Sequence, residues 1–400
     1  MILSKSKLFI ILFLSIFLLQ GCNSKCADSE NYDLFLQYAK STFNNTYTKY
    51  GVEDEVLLRE IFPFDKSYTA TYLDGNAETT NPYAYLWPYS GSFSAANTLF
   101  KLTSDPQYMD IIENKVLPGL EEYFDTSRQP FGYASYINRA PLSDRFYDDN
   151  IWIGIDFVDL YETSQKPVYL EKAEEVWKFV YSGHDDLLDG GIYWVEQNKG
   201  SKHSCSNAPA AVLALKLYEA TKKKDYFEKA VSLYNWTKTH LQDKEDLLYY
   251  DNIRLDGTVD KKKYSYNSGQ RLQAAAMLYR ITKEQSYLDE AEALAAACYN
   301  YFFHDFADGD LSFRMLNRGD VWFSAVMSRG FIELYSVNKD TSYLQAFNKN
   351  LKYAWEHMKD ENGLFGADWT GNDEEEEKRW LLVQMAMVEM YARFACVSLW

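Results

Sequence analysis

The chain has 400 residues, with 41 basic against 58 acidic side chains and a net charge of −17. That balance disfavours nucleic acid and anionic membrane surfaces as partners and suits a neutral substrate. Five cysteines and five histidines are scattered without metal-ligand spacing, so no metal, cofactor or histidine-based triad is expected.

Lys5 and Lys7 lead an apolar stretch from Leu8 to Leu19, which runs into Gln20-Gly21-Cys22. A run this short is the core of a signal peptide, not a lasting membrane span. Its end resembles a bacterial lipoprotein signal. The resemblance implies removal of residues 1–21 and acylation of Cys22, with the acyl chains holding the chain at a membrane. The expected location is the outer membrane, on its surface or periplasmic side. The competing reading is an ordinary secretory signal with an incidental cysteine. Without Lys5 and Lys7 the count is 39 basic against 58 acidic residues, or −19. Residues 22–31 read as a linker and 32–400 as one domain.

Residues 32–50 read as a first helix, and then the chain repeats itself. Leu99-Phe100, Leu160-Tyr161, Leu217-Tyr218, Leu278-Tyr279 and Leu334-Tyr335 are each followed, eight positions after the aromatic, by Tyr108, Tyr169, Tyr226, Tyr287 and Tyr343. Those tyrosines are 61, 57, 61 and 56 residues apart. Apolar residues at spacings of three and four flank turns such as Ser104-Asp105-Pro106 and Asn338-Lys339-Asp340, so each unit reads as two helices joined by a short turn. Residues 379–397 read as a last helix. Six helix pairs with a period near 57 exceed the repeat length of open solenoids, and the terminal Val397-Ser398-Leu399-Trp400 is a poor polar cap. The expected fold is all-α, a closed (α/α)6 toroid with one inner and one outer helix per pair. The connections between pairs are long: 51–89, 125–147, 183–205, 242–267, 304–318 and 359–378. In a closed ring they share one end, the N-terminal mouth of the inner helices, where function is expected.

The second of these loops ends in Arg-Phe-Tyr-Asp-Asp-Asn-Ile-Trp (145–152), which sets Asp148 and Asp149 at the start of an inner helix. A carboxylate there also caps a helix and complements its dipole. Yet two acids at the loop-rich end, bracketed by Tyr147 and Trp152, are the minimum equipment for breaking a glycosidic bond. Adjacent like charges split their pKa values, as an acid and an ionised partner require. Trp87, Tyr89, Tyr147, Trp152, Tyr193, Trp194 and Tyr266 are candidate platforms for a sugar ring. Asn207, Asp251, Gln270 and Arg271 are candidate partners for hydroxyls. Asp156 lies seven residues beyond Asp149, on nearly the same helix face. Asp185-Asp186 reads as turn chemistry and Glu374–Glu377 as a solvated loop.

Several ordered pieces resemble glycoside hydrolase family 76, the bacterial endo-α-1,6-mannanases: Tyr85-Leu-Trp-Pro-Tyr-Ser-Gly-Ser-Phe-Ser-Ala95, Tyr147-Asp-Asp-Asn-Ile-Trp152, Gly190-Gly-Ile-Tyr-Trp194, Cys205-Ser-Asn-Ala-Pro-Ala-Ala211, Tyr250-Asp-Asn-Ile253 and Tyr266-Asn-Ser-Gly269. The resemblance spans about residues 32–395. It implies the (α/α)6 fold and a retaining mechanism, with Asp148 as nucleophile and Asp149 as acid/base. It also implies α-1,6-linked mannan as substrate and, with the lipoprotein signal, a glycan uptake system as setting. The rival expectations are a surface glycan-binding lipoprotein without catalysis, another (α/α)6 enzyme, and a mannosyl transglycosidase on the same scaffold.

Overall fold

The computed structural model describes residues 30–70, 82–373 and 378–397. Cys22, the signal and linker segments up to residue 29, and Glu374–Glu377 lie outside the described residues.

Five hairpins follow the repeat. They are α2 (Leu86–Thr103) with α3 (Pro106–Ile111) and α4 (Leu117–Glu121), α5 (Tyr147–Ser164) with α6 (Pro167–Tyr181), α7 (Ser204–Thr221) with α8 (Lys224–Leu241), α9 (Ser265–Thr282) with α10 (Gln285–Phe302), and α11 (Val321–Asn338) with α12 (Ser342–His357). A π turn, Ile112–Val116, joins α3 and α4 into one rod. The sixth pair is built from both ends of the chain, α1 (Glu30–Tyr50) against α13 (Leu381–Cys396).

The Leu-aromatic signature marks how each inner helix stops. Four residues after each first aromatic, Ser104, Gln165, Lys222, Lys283 and Lys339 adopt left-handed backbone at φ between 53° and 63°. Each donates its backbone N–H to the carbonyl of Phe100, Tyr161, Tyr218, Tyr279 or Tyr335, satisfying an otherwise orphaned group. The outer helix starts directly afterwards, with Pro106 and Pro167 at first helical positions where no N–H is needed. The second aromatic of each repeat then ties neighbouring outer helices together. Tyr169 donates to Glu113 at 2.7 Å and Tyr226 to Glu174 at 2.8 Å. Tyr287 packs edge-on against Tyr234, and Tyr343 against Tyr299.

Helices α2, α5, α7, α9, α11 and α13 contact one another in that order, and α13 returns to α2. The ring is therefore closed, an (α/α)6 toroid. These inner helices are buried nearly all round, so they lack a single apolar stripe.

All six inner helices begin at one end, where the long connections lie. The sequence suggests irregular loops there. The structure adds short antiparallel strands: β1 (Ile61–Phe62) with β9 (Arg379–Trp380), β2 (Phe124–Asp125) with β3 (Gly132–Tyr133), the three-stranded order β4 (Ser201–His203), β5 (Tyr250–Arg254), β6 (Val259–Lys263), and the hairpin β7 (Phe303–Asp308) with β8 (Leu311–Leu316). Side chains in the first turns of the inner helices pin the loops above them. Asn150 bonds the N–H and C=O of Tyr133 at 2.7 and 2.9 Å, and Gln384 bonds those of Phe365 at 2.8 Å each. Ser268 accepts from the Tyr249 N–H at 3.1 Å.

Candidate active site

The inner helices start in register, which makes their first turns comparable. Their N-cap residues are Tyr85, Phe146, His203, Tyr264, Asp320 and Trp380. Two residues further on stand Trp87, Asp148, Cys205, Tyr266, Trp322 and Leu382. Contacts link most of this layer around the mouth. The Cys205 thiol lies between Asp148 and the Tyr266 hydroxyl. Tyr266 approaches Trp322 at 6.0 Å, and Trp322 meets Trp87 edge-on at 5.4 Å. Phe323 stacks on Tyr266 at 4.1 Å, and Trp152, one turn down α5 from Asp148, meets Trp322 edge-on at 5.0 Å. Trp380 closes the wall against Trp87 at 5.2 Å. The acid pair thus faces an aromatic lining.

Asp148 is half-buried and Asp149 keeps 9% of its surface. The Trp194 indole N–H donates to Asp148 Oδ2 at 3.1 Å. Trp194 is held from both sides, by Phe146 at 5.0 Å and by the parallel His203 ring at 4.9 Å. His203 Nε2 shares a hydrogen bond with Ser201 Oγ at 2.8 Å, and burial lowers the ring's pKa to about 3, so it stays neutral. Asp148 Oδ1 makes no hydrogen bond of ordinary geometry with the described residues.

Loss of water raises the Asp148 pKa to about 6, against hydrogen bonds from Cys205 and Trp194 that favour its charged form. Asp149 lies well above its ordinary value, first through burial and then through the charge of Asp148. Among the described residues, no ion pair forms with either acid. The environment therefore orders the two ionisations, Asp148 first and Asp149 at higher pH.

Asp251, on β5, joins this group. It accepts from Asn252 Nδ2 at 2.9 Å and Asn267 Nδ2 at 3.5 Å, and its charge acts on Cys205 and Tyr266. Burial raises its pKa. Gln270 lies one turn below Tyr266 on α9, fully buried. Its amide donates to Gln273 Oε1 at 2.8 Å, while its own Oε1 meets no donor among the described residues.

Five candidates go elsewhere. Tyr89 belongs to α2 and not to a loop, because Pro88 is tolerated in a first helical turn. Its hydroxyl donates to Val56 O at 3.1 Å, beside Gly119, where any β-carbon would collide with it. Tyr147 stacks on Phe179 of the outer helix α6 at 5.0 Å. Tyr193 donates to Asp185 at 2.8 Å and lies under Lys202. Asn207 spends its amide on Ile192, accepting from N–H at 2.7 Å and donating to C=O at 2.9 Å. Arg271 turns outward, its guanidinium 3.3 Å from the centre of the Tyr234 ring. Sequence proximity to the mouth does not say which face of a first turn points inward. Cys205, Tyr264, Asn267, Trp322, Phe323 and Trp380 were missed for the same reason. Aligning the six helix starts would have found most of them.

Among the described residues no three His, Cys, Asp or Glu side chains could jointly hold a metal ion.

A helical toroid whose mouth presents two adjacent acids of different proton affinity, opposite a wall of indoles and phenols, has the equipment of a glycoside hydrolase. The chain belongs to glycoside hydrolase family 76: the sequence model of glycosyl hydrolase family 76 matches residues 63–396. The solved family 76 mannosidase Bt3792 from Bacteroides thetaiotaomicron VPI-5482 is 34% identical, with a TM-score of 0.82 over 90% of this chain and 98% of that one. An α-1,6-mannanase of Salegentibacter sp. HEL1_6 shares the fold at 24% identity and a TM-score of 0.71, covering 90% of this chain and 99% of that one. It is an inactive variant with two consecutive aspartates changed to asparagine, in complex with α-1,6-mannotriose. A putative mannan endo-1,6-alpha-mannosidase of Schizosaccharomyces pombe is 22% identical over 60% of this chain and 55% of its own length. The chain spans 37–55% of the length of the curated relatives it matches.

Proposed function

We propose that the protein hydrolyses α-1,6-mannosidic bonds of a mannan backbone with retention of anomeric configuration. The observation that carries this reading is the unpaired acid pair, ordered in proton affinity and set beside the aromatic wall. In the first step Asp149 donates its proton to the glycosidic oxygen while an Asp148 oxygen attacks the anomeric carbon, and the C–O bond to the leaving sugar breaks. Asp148 Oδ2 is held by Trp194, and Oδ1 makes no hydrogen bond of ordinary geometry with the described residues. Esterification removes the negative charge of Asp148. With that charge gone, Asp149 loses one of the two causes of its raised pKa, so it stays ionised and is available as the base of the second step. In the second step Asp149 takes a proton from water, the hydroxide attacks the same carbon, and the ester bond to Asp148 breaks. In this reading Asp251 and Asn267 receive sugar hydroxyls, and Trp87, Trp152, Tyr266, Trp322 and Phe323 face the ring's C–H surfaces.

The Salegentibacter complex is in keeping with this reading, since that inactive protein, with two consecutive aspartates replaced, is in complex with α-1,6-mannotriose. Digestion of linear α-1,6-mannan, with the products separated by size, tests the reading. Shortened mannosides are expected; binding without cleavage would favour a glycan-binding role.

Anchoring is part of the same proposal. Lys5, Lys7, the apolar run and Gly21-Cys22 support acylation at Cys22 and an outer-membrane location in a glycan uptake system. No helix among the described residues is long and apolar enough to cross a membrane. Cys22→Ala should release the protein into the soluble fraction; continued membrane association would contradict the anchor.

A further inference from the structure

Arg271 turns from the mouth into a separate hollow of about 290 Å³. The hollow lies between the outer helices α8 and α10, with α9 as its floor. Arg271 keeps 1% of its surface. Its guanidinium lies 3.3 Å from the centre of the Tyr234 ring and 4.9 Å from that of Tyr249. Phenol rings attract a cation but supply no formal charge. Its Nε and Nη1 meet no acceptor among the described residues.

The neighbouring acids are occupied elsewhere. Glu290 accepts from Lys238 Nζ with one carboxylate oxygen and from the Tyr234 hydroxyl, at 2.7 Å, with the other. Asp289 accepts from Gln285 Nε2 at 2.9 Å and is exposed. A buried cation is costly unless it is paired and hydrogen-bonded. The deep end of the hollow is therefore positive, with N–H groups left over.

That arrangement selects a ligand class. Arg271 and Lys238 face Asp289 and Glu290, so the charges of the lining cancel. A dianion such as phosphate would meet both carboxylates. A neutral ligand would leave the guanidinium unanswered. One carboxylate matches the guanidinium fork and brings a single negative charge. Leu247, Ala275, Ala293 and Leu294 make the remaining wall apolar, which suits a compact carbon body. The volume is at the lower end of the range for ligand pockets, roughly 300 Å³ and upward, which limits that body to about one ring.

We propose that this hollow binds a monocarboxylate with a ring-sized carbon body, held by Arg271. The site is separate from the acid pair and does not depend on the mannanase reading. Its occupant would brace the mouth from behind, because Tyr249 directly precedes the strand that carries Asp251 and its N–H is bonded to Ser268 of α9.

Titration calorimetry of the full chain with benzoate, glucuronate and inorganic phosphate tests the site. Two variants are compared with the wild type. Arg271→Met removes the guanidinium. Ala293 is exposed on α10, so Ala293→Phe fills the hollow while leaving Arg271 in place, and it carries the test alone if Arg271→Met does not fold. The wild type should bind at least one of the two carboxylates saturably and phosphate at least tenfold more weakly, and each folded variant should raise Kd at least tenfold. Tighter binding of benzoate would assign an apolar acid and tighter binding of glucuronate a uronic acid, and both results support the site. No saturable binding of either carboxylate, phosphate bound as tightly, or an unchanged Kd in either folded variant would overturn it.

Discussion

Asp149 and Asp159 stand on the same helix, ten residues apart, and both are buried. Asp159, near the hairpin end of the ring, is ion-paired with Lys216, and that charge together with Lys101 and Arg393 holds its carboxyl well below the usual range. Asp149, at the mouth, has no cation among the described residues and sits well above it. The same contrast separates the two ends of the toroid. At the hairpin end Arg280 is bonded to both Glu219 and Glu333. Nearer the middle of the ring Arg329 forks onto Glu389 at 2.7 and 2.8 Å. At the mouth the acids face indoles, a thiol and each other. One ring of helices thus carries acids with their charges answered, which hold structure, and acids left unanswered, whose proton affinity is available for chemistry.

The sharpest way to break this contrast is to neutralise the acids at each end in turn. Asp148→Asn and Asp149→Asn should each lower kcat on α-1,6-mannan by about 10³-fold or more with the circular dichroism spectrum unchanged, whereas Asp159→Asn should leave kcat within a few-fold. An Asp149→Asn enzyme at near wild-type rate would remove the acid/base role. Next in size is the hairpin end. Lys216→Met strands Asp159 without its cation and should cost about 3 kcal/mol in denaturant unfolding, most of it recovered by adding Asp159→Asn. A single variant as stable as wild type would show that the pair is not what holds that end.

The pH dependence of stability should also differ in sign. The folded-state pKa values of Asp148 and Asp149 lie above the unfolded value near 4. Their contribution is therefore full below about pH 4; the Asp148 part is lost as pH rises through about 6, and the Asp149 part at higher pH still. Asp148→Asn removes that loss, so its Tm should exceed the wild type's by a few °C at pH 8 and match it at pH 4. Glu389, lowered to about 2 by Arg329 and Arg393, contributes the opposite way, with stability present above the unfolded value and lost as pH falls toward 2. Equal Tm differences at both pH values would contradict the assignment. The smallest expected effect is at Trp194. Trp194→Phe deletes the N–H that favours ionised Asp148, so kcat should fall about tenfold and the acid limb of the kcat/KM profile should move to higher pH. An unmoved limb would mean that this hydrogen bond does not tune the nucleophile.

The toroid was legible because its repeat is long-range and chemical. The Leu-aromatic pairs mark the left-handed caps, and the tyrosines eight positions on mark contacts between neighbours. Asp148-Asp149 was legible as a dipeptide at a helix start. What surrounds it was harder to read. Tyr147 and Asp148 are adjacent, yet one faces Phe179 outside the inner ring and the other the mouth. Single-chain reading has no signal for that split until the helix starts are aligned. The β7–β8 hairpin was missed although Gly309-Asp310, with Gly309 at φ +56°, is a two-residue turn between alternating residues. The strands are only six residues long, and the surrounding helical repeat dominates the pattern.

The most direct test is proton NMR of linear α-1,6-mannan during digestion by the wild type and, in parallel, by Asp148→Asn. The wild type should release reducing ends whose α-anomer appears before mutarotation, and the variant should release almost none. A β-anomer appearing first, or reducing ends from Asp148→Asn at the wild-type rate, would contradict double displacement through Asp148.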